Sequence, residues 1–134
     1  MSIESSSVIP GDPIRDVLAR GCMSRSALED LTSKWAALVL IALTEQPYRF
    51  NELRRRVEGV SERMLSRTLQ SVERDGMITR SVLTTIPPRV EYSLTPLGER
   101  VAAQFRVLAD VLEETADQVR TARAQYDATQ PDAQ

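Results

Sequence analysis

The sequence predicts a mainly α chain with one small β-hairpin, an α+β fold arranged as a winged helix-turn-helix with a long C-terminal dimerisation helix. Three observations predict it. Two short amphipathic helical segments meet through the tight turn "EGVS" at residues 58–61. The helical period then gives way to two β-rich stretches, "MITRSVL" and "RVEYSL", separated by "TTIPP". Beyond Thr95 an apolar stripe at helical spacing continues to Tyr126, farther than a domain of this size needs to cover itself.

Taken in order, residues 1–13 are rich in Ser, Pro and Gly and read as a loose arm. A short helix is expected from Ile14 to Arg20, ended by Gly21. Ser26 with Glu29 three residues on fits a capping box opening a helix through Leu31. Ser33 caps the segment from Lys34 to Thr44. Its residues Trp35, Leu38, Val39, Ile41, Ala42 and Leu43 cover most of its circumference, as in a helix central to a core. Pro47 disfavours helix just before it.

Phe50, Leu53 and Val57 then mark the next helix, closed by Gly59. Ser61 caps the following one, which runs to Arg74 and Asp75 before Gly76. Two modest helices joined by a tight turn make a helix-turn-helix. In the hairpin after them, Val90, Tyr92 and Leu94 share one face. A hairpin directly after the helix pair is a wing. Thr95 caps the last helix with Pro96 in its first turn. Val101, Phe105, Leu108, Leu112, Ala116, Val119 and Tyr126 form its stripe, over a length of roughly 45 Å. A second copy of the same helix is the simplest cover for that stripe, and Phe105, Leu108, Leu112 and Val119 are the expected interface. The chain thus divides into an arm with the cysteine (1–23), a DNA-binding winged helix (24–100), a dimerisation helix (101–127) and a polar tail (128–134).

Composition narrows the function. The 134 residues suit one domain with an appended element. The formal net charge is -2, but from Arg49 to Arg100 ten basic residues stand against seven acidic ones, and the flanking segments are both net acidic. A local basic footprint on an acidic chain suits contact with a polyanion through one face. Sixteen of the seventeen basic residues are arginine, which grips phosphate with two donors at once; genome base composition also produces such a bias. With no histidine and a single cysteine, Cys22, a His-based triad and a Cys/His zinc site are excluded, and no glycine-rich phosphate loop occurs. No metal or cofactor is therefore expected, nor catalysis, with an acid–base pair built by distant residues left as the open alternative. One cysteine makes no internal disulfide. The start lacks the pattern of a signal peptide, and the longest apolar run, "WAALVLIAL", is nine residues where a bilayer needs about 20. A cytoplasmic location without membrane contact is expected.

The stretches "KWAALVLIAL", "YRFNELRRRVEGVSERMLSRTLQSVERDGMITR" and "PPRVEYSLTPLGERV" resemble the HxlR-type winged-helix transcriptional regulators of bacteria, relatives of the MarR group. The resemblance covers about Cys22 to Val101. It implies a homodimeric DNA-binding repressor or activator, with repression the expected mode, whose terminal helices form the dimer interface. Many members carry Cys-Pro at the start of the domain, where this chain has Cys22-Met23. Several are thiol-based sensors of oxidants or electrophiles whose sensing cysteine lies at this place, so the resemblance suggests Cys22 as a sensor. Nearby Arg20 and Arg25 and a following helix start would favour its thiolate. Oxidation would give a Cys22–Cys22 bridge between subunits, a mixed disulfide or a sulfenic acid; a small buried apolar residue is the alternative.

On the second helix of the pair, Leu65, Leu69 and Val72 face the core. Arg63, Ser66 and Arg67 are then the expected base readers on double-stranded DNA, with Gln70 and Arg74 meeting phosphate. Among Arg54, Arg55 and Arg56 at least one should face the DNA backbone. Arg80 and Arg89 lie on the wing strands. Each arginine could instead be a solvated charge paired with Glu58, Glu62, Glu73 or Glu91. The expected operator is an inverted repeat with half-sites about 34 Å apart. Two other readings remain open. A small-molecule effector could sit between the terminal helix and the core, near Trp35, Phe105 and Tyr126. The winged helix could also serve protein contacts alone.

Overall fold

The computed structural model describes residues 15–130, apart from the side chain of Thr85. Six helices and three strands follow in the order α1 (Met23–Leu31), α2 (Lys34–Leu43), β1 (Tyr48–Arg49), α3 (Phe50–Arg56), α4 (Glu62–Arg74), β2 (Ile78–Thr85), β3 (Pro88–Leu94), α5 (Pro96–Glu114) and α6 (Ala116–Thr129). This is the winged helix-turn-helix, α3 and α4 being the helix pair and β2–β3 the wing.

The apolar segment α2 lies at the centre of the core. Val39 and Leu40 are fully buried there with Leu53 of α3, Leu65, Leu69 and Val72 of α4, Ile78 of β2 and Ala102 of α5. Ser61 caps α4 through its side chain, accepting from the Met64 amide at 3.0 Å. Helix α4 ends in a Schellman motif. Gly76 takes φ 80°, its amide donates to the Glu73 carbonyl, and the Met77 amide donates to the Val72 carbonyl at 3.0 Å. Both Val72 and Met77 are buried, which supplies the apolar contact this motif favours.

Helix α5 docks on that corner. The Thr95 amide donates to the Met77 carbonyl at 2.9 Å, and the Thr95 hydroxyl donates to the Gly76 carbonyl at 2.7 Å. The same hydroxyl oxygen accepts from the Gly98 amide at 2.9 Å. A Cβ on Gly98 would lie 1.9 Å from the Met77 carbonyl oxygen, so only glycine permits this approach.

The structure corrects several expectations. The wing belongs to a three-stranded antiparallel sheet of order β1-β3-β2, not to an isolated hairpin. The strand β1 is two residues long, too short for any alternation to show. Residues 15–20 form turns rather than a helix; Ile14, the arm before it and the tail from Pro131 lie outside the described residues. Helix α1 opens at Cys22, a full turn before Ser26, and Glu29 pairs with Arg25 at 3.1 Å instead of closing a capping box. Ser33 precedes α2 as expected, but its hydroxyl donates back to the Asp30 carbonyl.

The long terminal helix is interrupted at Thr115, whose φ is -110° and whose hydroxyl donates to the Val111 carbonyl at 2.7 Å. Such back-bonding often bends a helix, although the same bond from Thr68 leaves α4 unbroken. Beyond the break, α6 continues through Thr129, past the expected start of the tail at Ala128. The first turns of α5 pack into the domain core through Val101, Ala102 and Phe105. The winged helix and the terminal helix therefore share one core across residue 100.

Two carboxyls meet where α1 ends beside α4. Burial, a hydrogen bond with Asp30 and the charge of Asp30 all raise the pKa of Asp75, against the opposing charge of Arg74. One Asp75 oxygen, Oδ2, is buried without a donor. Because the folded pKa lies above the unfolded one, the resulting penalty is absent below the unfolded value. It grows as pH rises between the two values and is complete above the folded one. Asp75→Asn supplies a donor to Asp30 and removes the charge. It is expected to raise Tm by a few degrees at about pH 7, the gain shrinking as pH falls toward about 4; melting curves across this range check it. Gly98→Ala is expected to destabilise by about 3 kcal/mol or more, because the clash is with backbone. A urea midpoint equal to that of the wild type would contradict the docking geometry.

Candidate nucleic-acid interface

Helix α4 has two unlike faces. Leu65, Thr68, Leu69 and Val72 are buried, and the Thr68 hydroxyl donates to the Met64 carbonyl at 2.7 Å. Thr68 is the one buried polar residue of the helix, and its polarity hid it from an apolar-period reading. The opposite side presents Arg63, Ser66, Arg67, Gln70 and Arg74, all exposed. Their spacing of three and four residues aligns them on one side. With a rise of about 1.5 Å per residue the helix is roughly 20 Å long, the length of a rod that can lie in a DNA major groove.

The fold sorts the arginines of α3. Arg54 reaches across to Glu62 at the start of α4, at 3.0 Å. Arg56 holds Glu45, with its Nε 2.8 Å from Oε1, and the Tyr48 hydroxyl donates to the same Oε1 at 2.7 Å. The hydrogen bond from Arg56, then that from Tyr48, lowers the Glu45 pKa. These contacts tie the end of α2 to α3 and β1. Arg55 has no such partner among the described residues; nor do Arg63, Arg67, Arg74, Arg80 or Arg89. Among the described residues, Glu62 is the one of the four acids considered as partners for these arginines that forms a pair, and it does so with Arg54.

The two wing arginines separate. In the sheet Arg80 pairs with Tyr92, whereas Arg89 lies an odd number of residues from Tyr92 on the same strand. Alternation places Arg80 and Arg89 on opposite faces. Arg89 shares its face with Glu91, and Glu91 pairs with Arg49 of β1. The register thus adds Arg49 to the wing's basic face, a residue that no local pattern in the sequence singles out.

Cys22 is 1 % exposed and is the N-cap residue of α1. Its Sγ lies 2.8 Å from the Ser24 hydroxyl oxygen. Burial raises the thiol pKa. The Ser24 hydroxyl and the amides of Arg25 and Ser24 outweigh it, against a small opposing effect of Asp16, and the net result is a lowered value. Helix-end amides stabilise the thiolate at this position.

On the outer side of the terminal helices, Val107, Leu108, Val111, Leu112, Val119 and Tyr126 are exposed. Phe105 differs, since it packs against the core of its own subunit. Trp35 also packs on the core, with the Lys34 ammonium 4.6 Å from its ring centre. Trp35, Phe105 and Tyr126 do not line the groove of about 510 Å3 that opens beside α5. That groove is bordered by Leu43, Thr44, Leu94, Glu99, Ala103 and Arg106 instead. No helix among the described residues is long and apolar enough to cross a membrane.

Residues 30–120 match the family described as HxlR-like helix-turn-helix. The chain is 45 % identical over 108 residues to the uncharacterized HTH-type transcriptional regulator YtfH of Escherichia coli K12, covering 81 % of this chain and 86 % of that one. Its fold is similar to that of the ytfH protein of Salmonella typhimurium, with a TM-score of 0.75, 45 % identity, and coverage of 81 % of this chain and 97 % of that one. It is also similar to the redox regulator HypR in its reduced form, with a TM-score of 0.67 and 29 % identity over 74 % of this chain and 98 % of that one.

Proposed function

This chain belongs to the HxlR-like helix-turn-helix family of transcriptional regulators, and we propose that it represses transcription as a homodimer bound to an inverted-repeat operator. The observation that carries this reading is the outer face of α4. Arg63, Arg67 and Arg74 stand exposed and, among the described residues, form no ion pair, although the charge of Arg74 acts on Asp75, in a chain that has more acids than bases. A folded acidic protein that leaves these arginines unpaired on one helix face holds them for an external polyanion. Arg63, Ser66 and Arg67 near the start of α4 read base edges, Gln70 and Arg74 meet phosphate, and Arg55 faces the backbone. Pairing of the exposed apolar faces of α5 and α6 from two copies, through Leu108, Leu112 and Val119, sets two α4 helices about 34 Å apart.

In this reading Cys22 carries the signal. The redox regulator among the structural relatives favours a thiol switch over a small-molecule effector. Burial of Sγ favours a small oxidant over direct bridging to a second Cys22. The thiolate attacks one oxygen of hydrogen peroxide and the O–O bond breaks. Sulfenic acid forms on Cys22 and hydroxide leaves; one low-molecular-weight thiol then displaces water to give a mixed disulfide, and a second releases the Cys22 thiol and a small-molecule disulfide.

Two outcomes are expected. Arg63→Ala and Arg67→Ala should each weaken binding of a genomic operator fragment by about tenfold or more and relax base preference at one position. Fluorescence anisotropy at several salt concentrations measures this, and affinity that ignores both salt and substitution sinks the DNA reading. Peroxide should lower operator affinity of the wild type and leave Cys22→Ser unchanged. Equal responses of the two proteins would remove Cys22 from the mechanism while leaving DNA binding intact.

A further inference from the structure

We propose that the cleft between the start of α3 and the wing is a built site for one backbone phosphate of the bound DNA, gripped jointly by Arg49, Arg55 and Arg89. The inference rests on the DNA-binding reading above and assigns it a specific contact. The cleft encloses about 410 Å3 and is lined in part by Arg49, Asn51, Glu52, Arg55, Pro88 and Arg89. Glu91 stands opposite Arg49 on the sheet face that carries Arg89, and the cleft lining itself gathers three arginines and one carboxylate.

That carboxylate is already engaged. Glu52 Oε1 accepts the Arg49 amide at 3.0 Å and lies 3.9 Å from Arg49 Nε. Arg55 and Arg89 have no acidic partner among the described residues. The site therefore carries excess positive charge with an open mouth, which suits an extended anion better than a small enclosed one. A guanidinium offers parallel N–H donors that match two phosphate oxygens at once.

The three arginines are also held in fixed relation. Arg49 pairs with Glu91 in the β1–β3 ladder, and Arg89 emerges two residues farther toward the wing tip on the same face. Arg55 comes from α3, which begins immediately after Arg49. One strand of DNA backbone separates a major groove from the adjacent minor groove. If α4 lies in the first and the wing reaches toward the second, that strand must cross between the helix pair and the wing. The cleft opens there.

The test is a scan of methylphosphonate linkages, each neutralising one phosphate, across an operator half-site. Wild type and Arg55→Ala/Arg89→Ala are compared, with thermal melts to confirm folding. Wild-type affinity should fall about tenfold at one linkage, or two adjacent ones. The double variant should show no loss there while keeping its response elsewhere, and the slope of log affinity against log salt should drop by about one. A sensitivity pattern shared unchanged by both proteins overturns the cleft assignment but leaves the DNA reading standing. Absence of any salt-dependent DNA binding by the wild type overturns both. Competition by inorganic phosphate beyond that of chloride at equal ionic strength would mark a free-anion site and also overturn it.

Discussion

The fold turns on one backbone corner, where α4 ends, the wing begins and α5 lands. Gly76 reverses the chain in a left-handed conformation, Met77 leaves toward the wing, and the Met77 carbonyl receives the Thr95 amide as the wing returns. Gly98 then lies so close to that carbonyl that no side chain fits between them. Three parts of the fold are joined at this corner: helix α4, the wing and the terminal helix α5. All three meet within a few residues of one carbonyl oxygen. Their relative positions are set by this contact together with the close-packed core around it, which leaves little room for displacement.

The arginines show how the fold divides one residue type between structure and function. Arg54 and Arg56 are spent on acids of neighbouring elements, and Arg106 reaches both Asp110 and Glu113 along α5. Exposed pairs of this kind contribute little to stability in general. Their consequence is spatial: acids are drawn to the sides of the helix pair. Arg63 and Arg67 on α4, and Arg55 and Arg89 beside the wing, are left without an ion-pair partner among the described residues. A net charge of -2 conceals this separation entirely.

Much of the fold was legible because periodicity reports burial. The apolar positions of α2, α3 and α4, the cap at Ser61 and the turn at Gly76 follow from residue spacing and local chemistry. What escaped depended on partners distant in the chain. Strand β1 exists only because β3 offers it a ladder. Cys22 opens α1 although cysteine is no common cap and a better-looking cap, Ser26, stands four residues on. The stripe of the terminal helix crosses Thr115 without a gap, so the interruption was visible in no pattern; at that point the Thr115 hydroxyl donates to the Val111 carbonyl. In the candidate site, the face of α4 could be read from spacing. The sorting of Arg54, Arg55 and Arg56, the opposed directions of Arg80 and Arg89, and the contribution of Arg49 required the sheet register.

The position of Cys22 explains how a change at one sulfur could reach the reading helix. Cys22 is 1 % exposed and its Sγ lies 2.8 Å from the Ser24 hydroxyl oxygen, so an added oxygen on Sγ would disturb the contacts at the start of α1. Helix α1 is only nine residues long, so its far end moves with its start. That end buries Leu31 in the core and sets Asp30 against Asp75, the residue that ends α4. Two carboxyls in contact form a weak joint, sensitive to small shifts, where an apolar pair would form a tolerant one. In the proposed switch, α1 joins Cys22 at its start to the Asp30–Asp75 contact at its end, which gives oxidation at Sγ a route to α4.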